Sequence, residues 1–586
     1  MGKSVGRIVV ICVTIFIAMS GINADKIKVG NLDYYKQNIM PINKFISKVS
    51  EFSVRPDSLP AFPGAQGYGI YSTIGGRLGQ VIHVRNLNPS GPGSFASACA
   101  TPGPRIVVFD TSGVIRDTST TYYNIAITHP YITIAGQTAP GAGITVEGAL
   151  LGSGINDVII RFLRLRNTAG FSGDVFAINT DCSDVIVDHS SFSWTGDETI
   201  DITNCHDATV QWCTLEEAGT YHNFGLYSGY TTAGNASVHH NLFAHLSMRN
   251  PMVIKGPADI RNNVVYNMVY GYSGPADDNP GGPEPNPNYN IIGNYYKRGL
   301  NRIGESIMPF HDFQDPDTIT YPLSGRFYLS DNFVDNLDTM MFIENPWHQL
   351  PYYSPSGNDI TVSGLGTEAR NKLSSPVATP FVTTYPVLAA YDTVLKYAGC
   401  FPRDTVTRRM INDTKNRTGV YGIQRSNLMA GLTVLPRLQD TDDDGMPDSW
   451  EDNNGLDKYT PDNNTIMVSG YTAIEEYINY IADSLITSGT YGVTTSDEKI
   501  CDLNQQNIYP NPWNGNGYLR FKSIGPTTIK VFNVAGKKVY EKNMVSRDYH
   551  WDGRDNKGKK IGSGVYFYRL SNKKENERQG KIVVLR

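Results

Sequence analysis

The 586-residue chain has 51 Lys and Arg against 56 Asp and Glu, a net charge of −5, and 40% hydrophobic residues. That length exceeds one ordinary domain and predicts about two to four. The mild negative charge and the lack of a long basic run exclude nucleic acid as an expected partner, while 35 Tyr and 57 Gly point to a β-rich, turn-rich protein.

Residues 1–24 read as a secretory signal peptide, with Lys3 and Arg7 ahead of an apolar stretch at 8–19 and Ala24 at the cleavage point. The apolar stretch is too short for a membrane-spanning helix. Residues 25–60 form an N-terminal extension. Of seven cysteines, Cys12 leaves with the signal, and Cys99, Cys182, Cys205, Cys213, Cys400 and Cys501 remain. An oxidising destination permits disulfides. The sparse spacing fits buried small apolar residues as well, and the lack of a CxxC pair argues against zinc.

From about residue 130, short β-type runs recur: ITI at 132–134, VII at 158–160, VIV at 185–187, ATV at 208–210, SVH at 237–239, ADI at 258–260, NII at 290–292 and RFY at 326–328. Their spacings of 21 to 36 residues match coils of a parallel β-solenoid whose loops lengthen late in the series. GPADDNPGGPEPNPN, 274–288, reads as one such loop. Asn241, Asn263, Asn294 and Asn332 each follow a run, as stacked turn asparagines bonded to backbone would. Hairpin turns every eight to twelve residues, which a sandwich needs, are scarce over this stretch.

Residues 436–486 form a small unit. Within it, DTDDDGMPDSWE at 440–451 has the calcium-loop spacing of an EF-hand: Asp440, Asp442, Asp444, Asp448 and Glu451 at oxygen-donor positions, Gly445 at the sharp turn, and Met446 offering its backbone carbonyl. Pro436 argues against a long incoming helix, so the loop resembles those of dockerins and thrombospondin-type repeats. Thr472 and Glu475 form a capping box for a helix with apolar residues 474, 477, 478, 481 and 485 on one face. Residues 487–507 read as a linker. Residues 508–586, with IYPNPWNGNG, WDGRDNKG and SGVYFYRL, predict a small β-sandwich. They resemble type IX secretion sorting domains and the related immunoglobulin-like domain of flagellar hook-capping proteins, which implies the secretion machinery as a partner and an extracellular or cell-surface destination.

Phase within the coils brings several acidic residues together. Asp174, Asp197, Asn223 and Arg249 are separated by steps of 23, 26 and 26 residues, each close to one coil. One coil corresponds to a sheet spacing of about 4.8 Å, so a column on one outer face is expected. Asp201, four residues from Asp197, can turn to the same place. Gathered carboxylates need a cation, and an all-oxygen set suits calcium. Calcium beside an arginine makes a site for an anionic ligand, and a long groove suits a polymer.

Ordered motifs then carry a resemblance: FPGAQGYG at 62–69, GGRLGQVIHVRNLNPSGPGS at 75–94, PRIVVFDTSGVI at 104–115, ITIAGQTAPGAGI at 132–144, VIIRFLRLR at 158–166, VIVDHSSFSWTGDE at 185–198 and HHNLFAHLSMRNP at 239–251. Over about 61–420 the chain resembles secreted pectate lyases of polysaccharide lyase family 1. The resemblance implies an all-β fold: a right-handed parallel β-helix over 61–430, then the calcium-loop/helix unit and the C-terminal β-sandwich. It implies calcium at Asp174, Asp197 and Asp201, and Arg249 as the base that takes the C5 proton of a uronic acid in pectate or pectin, acidic plant-type polysaccharides. A monomer is expected.

Two departures stand out. A substrate lysine is usual near HNFG, 222–225; Asn223, or a neighbour one or two positions off, stands there. Met252 follows the arginine's Pro251 where a second cation is common, and Lys255 is the nearest. Asn223, His222 and Lys255 are the candidate substrate contacts. Two alternatives stay open: a lyase acting on another uronate polymer, and a non-catalytic carbohydrate-binding solenoid. Further readings are packing or acid/base chemistry for Asp188–His189, calcium binding or solvation for Glu198, a solvated turn for Glu216 and Glu217, and core placement or sugar platforms for Trp194 and Trp212.

Overall fold

The computed structural model describes residues 59–488 apart from 169–171, 220–221, 231, 274–287, 301–307, 312–325, 337–338, 343–351, 354–358 and 361–372. Of the C-terminal segment it describes 508–509, 513, 519–522, 527–533, 537–544, 548–571 and 577–584. The expected signal peptide, most of the extension, the loop at 274–287, most of the linker, Cys12 and Cys501 lie outside the described residues. The chain divides into two compact units, 1–491 and 492–586.

The first unit is a parallel β-solenoid. Its chain winds through three sheets in turn. The first, ten-stranded, runs from Gln80–Val84 to Arg326–Ser330 and includes all eight recurring runs. Val158, Val185, Ala208 and Ala236 are successive register partners along it. These runs are nearly continuous apolar segments because both faces of the sheet are buried. Val158, Ile160, Val185 and Val187 point to the interior core, while Ile159 and Ile186 pack outward against Phe62 and Ile70. Five described cysteines are free and buried, as small apolar residues would be.

The third sheet, from Gly113–Ile115 to Thr339–Phe342, is covered by helices α1 (Val387–Tyr397) and α2 (Thr405–Asn416). That cover overturns the reading of Glu216 and Glu217 as a solvated turn. Both are fully buried. Arg166 pairs with Glu216 at 2.6 Å and with Asp404, the N-cap of α2, at 2.9 Å. Glu217 is held by Arg409 at 2.6 Å and accepts from Trp194 Nε1 at 2.8 Å. Arg409, and Thr407, which donates to Glu216, come from about 190 positions later in the chain.

Between the first and third sheets the chain turns a corner through left-handed residues: Phe162, His189, Trp212, His240 and Asn262, at φ between 43° and 59°. Their rings stack from coil to coil, with centroids 5.2 Å apart for Phe162–His189, 5.9 Å for His189–Trp212 and 4.3 Å for Trp212–His240. One residue later runs the expected asparagine ladder. Asn241 N donates to Asn263 Oδ1 at 3.0 Å, Asn263 N to Asn294 Oδ1 at 2.9 Å, and Asn294 N to Asn332 Oδ1 at 3.1 Å. Asp188 belongs to this packed corner, accepting from Arg161, His189 and Gln211, each at 2.8 Å. Against the upward push of burial, His189 and Arg161 hold its carboxyl well below the usual range.

Segment 436–488 lies on the solenoid. Helix α3 spans Asp448–Asn454 and helix α4 spans Ala473–Ser488. Thr472 N donates to Glu475 at 2.9 Å, forming the expected capping box. Ile474, Tyr477, Ile478, Ile481 and Leu485 of α4 pack with Ile106 and Val108 of the first sheet and Phe162 of the corner.

The second unit holds a three-stranded and a four-stranded antiparallel sheet. Trp551 and Phe521 of one share a core with Ile529, Val531, Tyr568 and Ile582 of the other, which makes a sandwich. Among the described residues, no helix is long and apolar enough to cross a membrane.

Candidate active site

The second sheet, eight-stranded, runs from Asn124–Ile127 to Met308–His311. Interior positions such as Phe176, Ile200 and Leu226 join the core. Side chains of alternate residues face outward, among them Asp201 and its register partner Tyr227.

The register differs from the expected column. Phe176 pairs with Ile200, which places Asp174 beside Glu198; Glu198 N donates to Asp174 Oδ1 at 3.0 Å. Glu198 pairs with Phe224, and Phe224 with Met248. The coil steps here are therefore 24, 26 and 24 residues. Asp174, Asp197, Glu198 and Arg249 form a knot at the start of the strands, with Asp197 in the preceding turn.

Within that knot, carboxylate oxygens of Asp174, Asp197 and Glu198 lie within 4.8 Å of one another. Burial, then Asp197, pushes the Asp174 carboxyl up to about 7, with Arg249 opposing. Burial, then Asp174 and Asp197, pushes Asp201 up to about 8. Oδ1 of Asp201 is buried without a hydrogen-bond partner. Crowded oxygens with an orphaned acceptor nearby fit a hard cation, for which Asp174, Asp197 and Asp201, with Glu198 beside them, offer ligand atoms.

Arg249 is presented by an unusual piece of backbone. Its φ is 60°, a left-handed conformation that costs a non-glycine residue about 1–3 kcal/mol. The surroundings enforce it. Leu226 N donates to Arg249 O at 2.7 Å, and Asn250 Nδ2 donates to Leu246 O at 3.1 Å and Tyr270 O at 2.9 Å. Gly225 permits the approach, since a Cβ there would sit 2.4 Å from Arg249 O. The guanidinium forms a close ion pair with Glu198 and lies 4.7 Å from the Phe224 ring centroid and 4.9 Å from that of Tyr227. The sequence reading missed Glu198 as this partner and both rings. The available signal was their phase, with Phe224 standing 26 residues after Glu198.

The three candidate substrate contacts separate. His222 is near the carboxylates, its Nδ1 2.8 Å from Asp197 Oδ1, and its side chain is 44% exposed. Asn223 is buried, and its side-chain oxygen accepts from Ser247 N at 2.8 Å, so it braces a turn. Lys255 is 3% exposed and follows the strand Met252–Val253, whose Met252 is already level with Asp201. The strand direction carries the Lys255 backbone past the level of Asp201.

The loop at 440–451 gathers a second set of oxygens. Those of Asp440, Asp442 and Asp444 lie within 4.8 Å of one another, as do those of Asp444, Glu451 and Asp462. Asp448 turns away, accepting from Thr441 N and Oγ1 at 2.8 Å each. Asp462, eleven residues beyond the twelve-residue window, joins the cluster. The Met446 side chain enters the core against the solenoid. Burial, then Asp444 and Asp442, pushes Glu451 up to about 8, and burial with Asp442 pushes Asp444 up to about 6.

Residues 507–585 match the secretion system C-terminal sorting domain. A probable pectate lyase C of Aspergillus flavus is 33% identical over 449 residues, covering 73% of this chain and 95% of the relative. The corresponding protein of Emericella nidulans is 31% identical over 445 residues, 74% of this chain and 94% of the relative. Among solved structures, a Bacillus sp. N165 pectate lyase in complex with trigalacturonate aligns with a TM-score of 0.39 and 15% identity, over 57% of this chain and 98% of that one.

Proposed function

The chain belongs to the pectate lyase family, a family of polysaccharide lyases, and we propose that it cleaves polygalacturonate by calcium-dependent β-elimination centred on Arg249, leaving unsaturated oligogalacturonides. Its sorting domain directs it through type IX secretion to the cell surface or the medium.

The observation that carries this reading is the meeting of three carboxylates, Asp174, Asp197 and Glu198, with one part-exposed arginine, beside Asp201, whose carboxyl the two aspartates push up. Asp174, Asp197 and Asp201 would hold calcium. Bound there, the ion would neutralise a uronate carboxylate and make the neighbouring C5 proton more acidic. Arg249 then takes the C5 proton. The electron pair left at C5 forms the C4–C5 double bond as the C4–O bond breaks, and the leaving sugar oxygen takes up a proton from water. A free guanidinium has a pKa above 12, so this role asks Arg249 for transient loss of a proton. Glu198, Phe224 and Tyr227 orient the guanidinium and shield one side of it from water. His222, exposed beside Asp197, contacts the polymer.

A second reading is a lyase for another uronate polymer. Asn223 favours it, because that side chain is spent on Ser247 N and offers no cation for a second carboxylate. The test is ultraviolet absorbance of unsaturated product, with and without calcium, for wild type and Arg249→Ala. Calcium-dependent product from polygalacturonate that vanishes in the variant supports the first reading. Product from a different uronate polymer alone selects the second.

A further inference from the structure

The loop cluster at 440–462 is separate from the lyase site, and nothing in the lyase reading uses it. Its side chains divide by direction. Asp440, Asp442 and Asp444 turn to one another, with Asp440 also paired to Arg437 at 2.9 Å. Asp443, Gly445 and Met446 turn to the solenoid. Asp443 pairs with Arg85, and its carbonyl lies 3.1 Å from His83 Nε2. Arg437 joins Asp443 to Asp110, at 2.9 Å to each. Gly445, at φ 95°, sits where a Cβ would come 2.8 Å from Val81 Cγ1. Met446 is fully buried with Ile106 and Val108.

The ligand side is closed and unsatisfied. Glu451 is 0% exposed, and both of its oxygens lack a hydrogen-bond partner. So do both oxygens of Asp442 and Oδ1 of Asp462. Asp444 ties the two halves together, its Oδ2 accepting from Asp462 N at 3.1 Å. Five buried orphan oxygens represent a heavy desolvation cost for a native fold unless a cation meets them. Carboxylates alone suit calcium, which takes six to eight oxygens.

We propose that Asp440, Asp442, Asp444, Glu451 and Asp462 form a second, closed calcium site, and that its occupancy is thermodynamically linked to the docking of 436–488 on the first coils of the solenoid. The same short loop supplies both surfaces, in alternation. Assembling the ligands orients Asp443, Gly445 and Met446 for docking, and docking pre-assembles the ligands. The coupling must then run both ways. The inference stands whether or not the lyase reading holds.

The test uses the full chain without polysaccharide. Bound calcium is counted by calorimetry with calcium chloride for wild type, Glu451→Gln and Asp462→Asn. Limited proteolysis within 436–488 is followed with calcium and with chelator. The expected result is one equivalent of calcium fewer in both variants, and cleavage of 436–488 in wild type only under chelation. Met446→Ala, which removes no ligand, should weaken calcium at this site about fivefold or more. Asp201→Asn should keep the protection. Unchanged stoichiometry in both ligand variants, protection lost in Asp201→Asn, or an unaltered calcium affinity in Met446→Ala would each overturn the proposal.

Discussion

The two carboxylate clusters are made of the same chemistry and are finished differently. On the second sheet, the side chains of Asp197 and His222 stay more than 40% exposed, and an arginine stands among the oxygens. In the loop, Glu451 is sealed from solvent. Its neighbours are further carboxylates, and the guanidinium of Arg437 bridges Asp440 of the cluster to Asp110 and Asp443 on the docking side. An open set of ligands leaves a cation free to meet a substrate. A closed set spends all of a cation's coordination on the chain itself. Exposure therefore separates a reacting centre from a fastening when ligand type cannot.

The largest effect expected from breaking this contrast is at Arg249. Arg249→Ala should lower turnover by about 10²–10⁴-fold with the fold intact, as loss of a proton-transfer group does. Steady-state rates with circular dichroism check it. Next is Asp201→Asn, which should raise the calcium needed for half-maximal activity by about 10–100-fold, with partial rescue at high calcium. The loop variant Glu451→Gln should leave that calcium requirement alone, and a calcium titration of activity separates the two.

A pH scan in chelator sharpens the same comparison. The folded-state carboxyls of Asp174 and Asp201, at about 7 and 8, and of Glu451, at about 8, lie above their unfolded values. The folded state then holds more protons between about pH 4 and pH 8, so stability should fall as pH rises through that window. Melting temperature in chelator should decline accordingly, and saturating calcium should flatten the decline. Asn263→Ala touches neither cluster. It strands the Asn241 N–H in the ladder and should cost about 1–3 kcal/mol in denaturant unfolding with activity per folded molecule unchanged. The smallest effect is at His222, where Ala should raise KM about two- to fivefold with little change in kcat, the size of an exposed polar contact.

Much of this was legible in the sequence because it repeats or is local. All eight apolar runs fall on one sheet, since stacked coils demand the same face from each. The asparagines at 241, 263, 294 and 332 stack as their positions after the runs imply. The capping box of Thr472 and Glu475 is a contact over three residues. What escaped was long-range or depended on single-residue phase. Turns of varying length moved Asp174 opposite Glu198 instead of Asp197. Glu216 and Glu217 read as solvated because the helix that covers them, with Thr407 on Glu216 and Arg409 on Glu217, comes from far along the chain. Asp462 stood outside the window in which calcium ligands are sought.

The asparagine ladder also bears on how such a chain can change. Adjacent rungs are 22, 31 and 38 residues apart, yet every rung makes the same two bonds to its neighbour. Each coil is thus indexed anew at its corner, and an insertion in one loop is absorbed before the next strand begins. Loop length becomes a freely inherited trait, decoupled from which residues face the core. Lineages of this architecture can therefore exchange the walls of the groove, and with them the polymer they fit, while the acidic knot and its arginine stay in register.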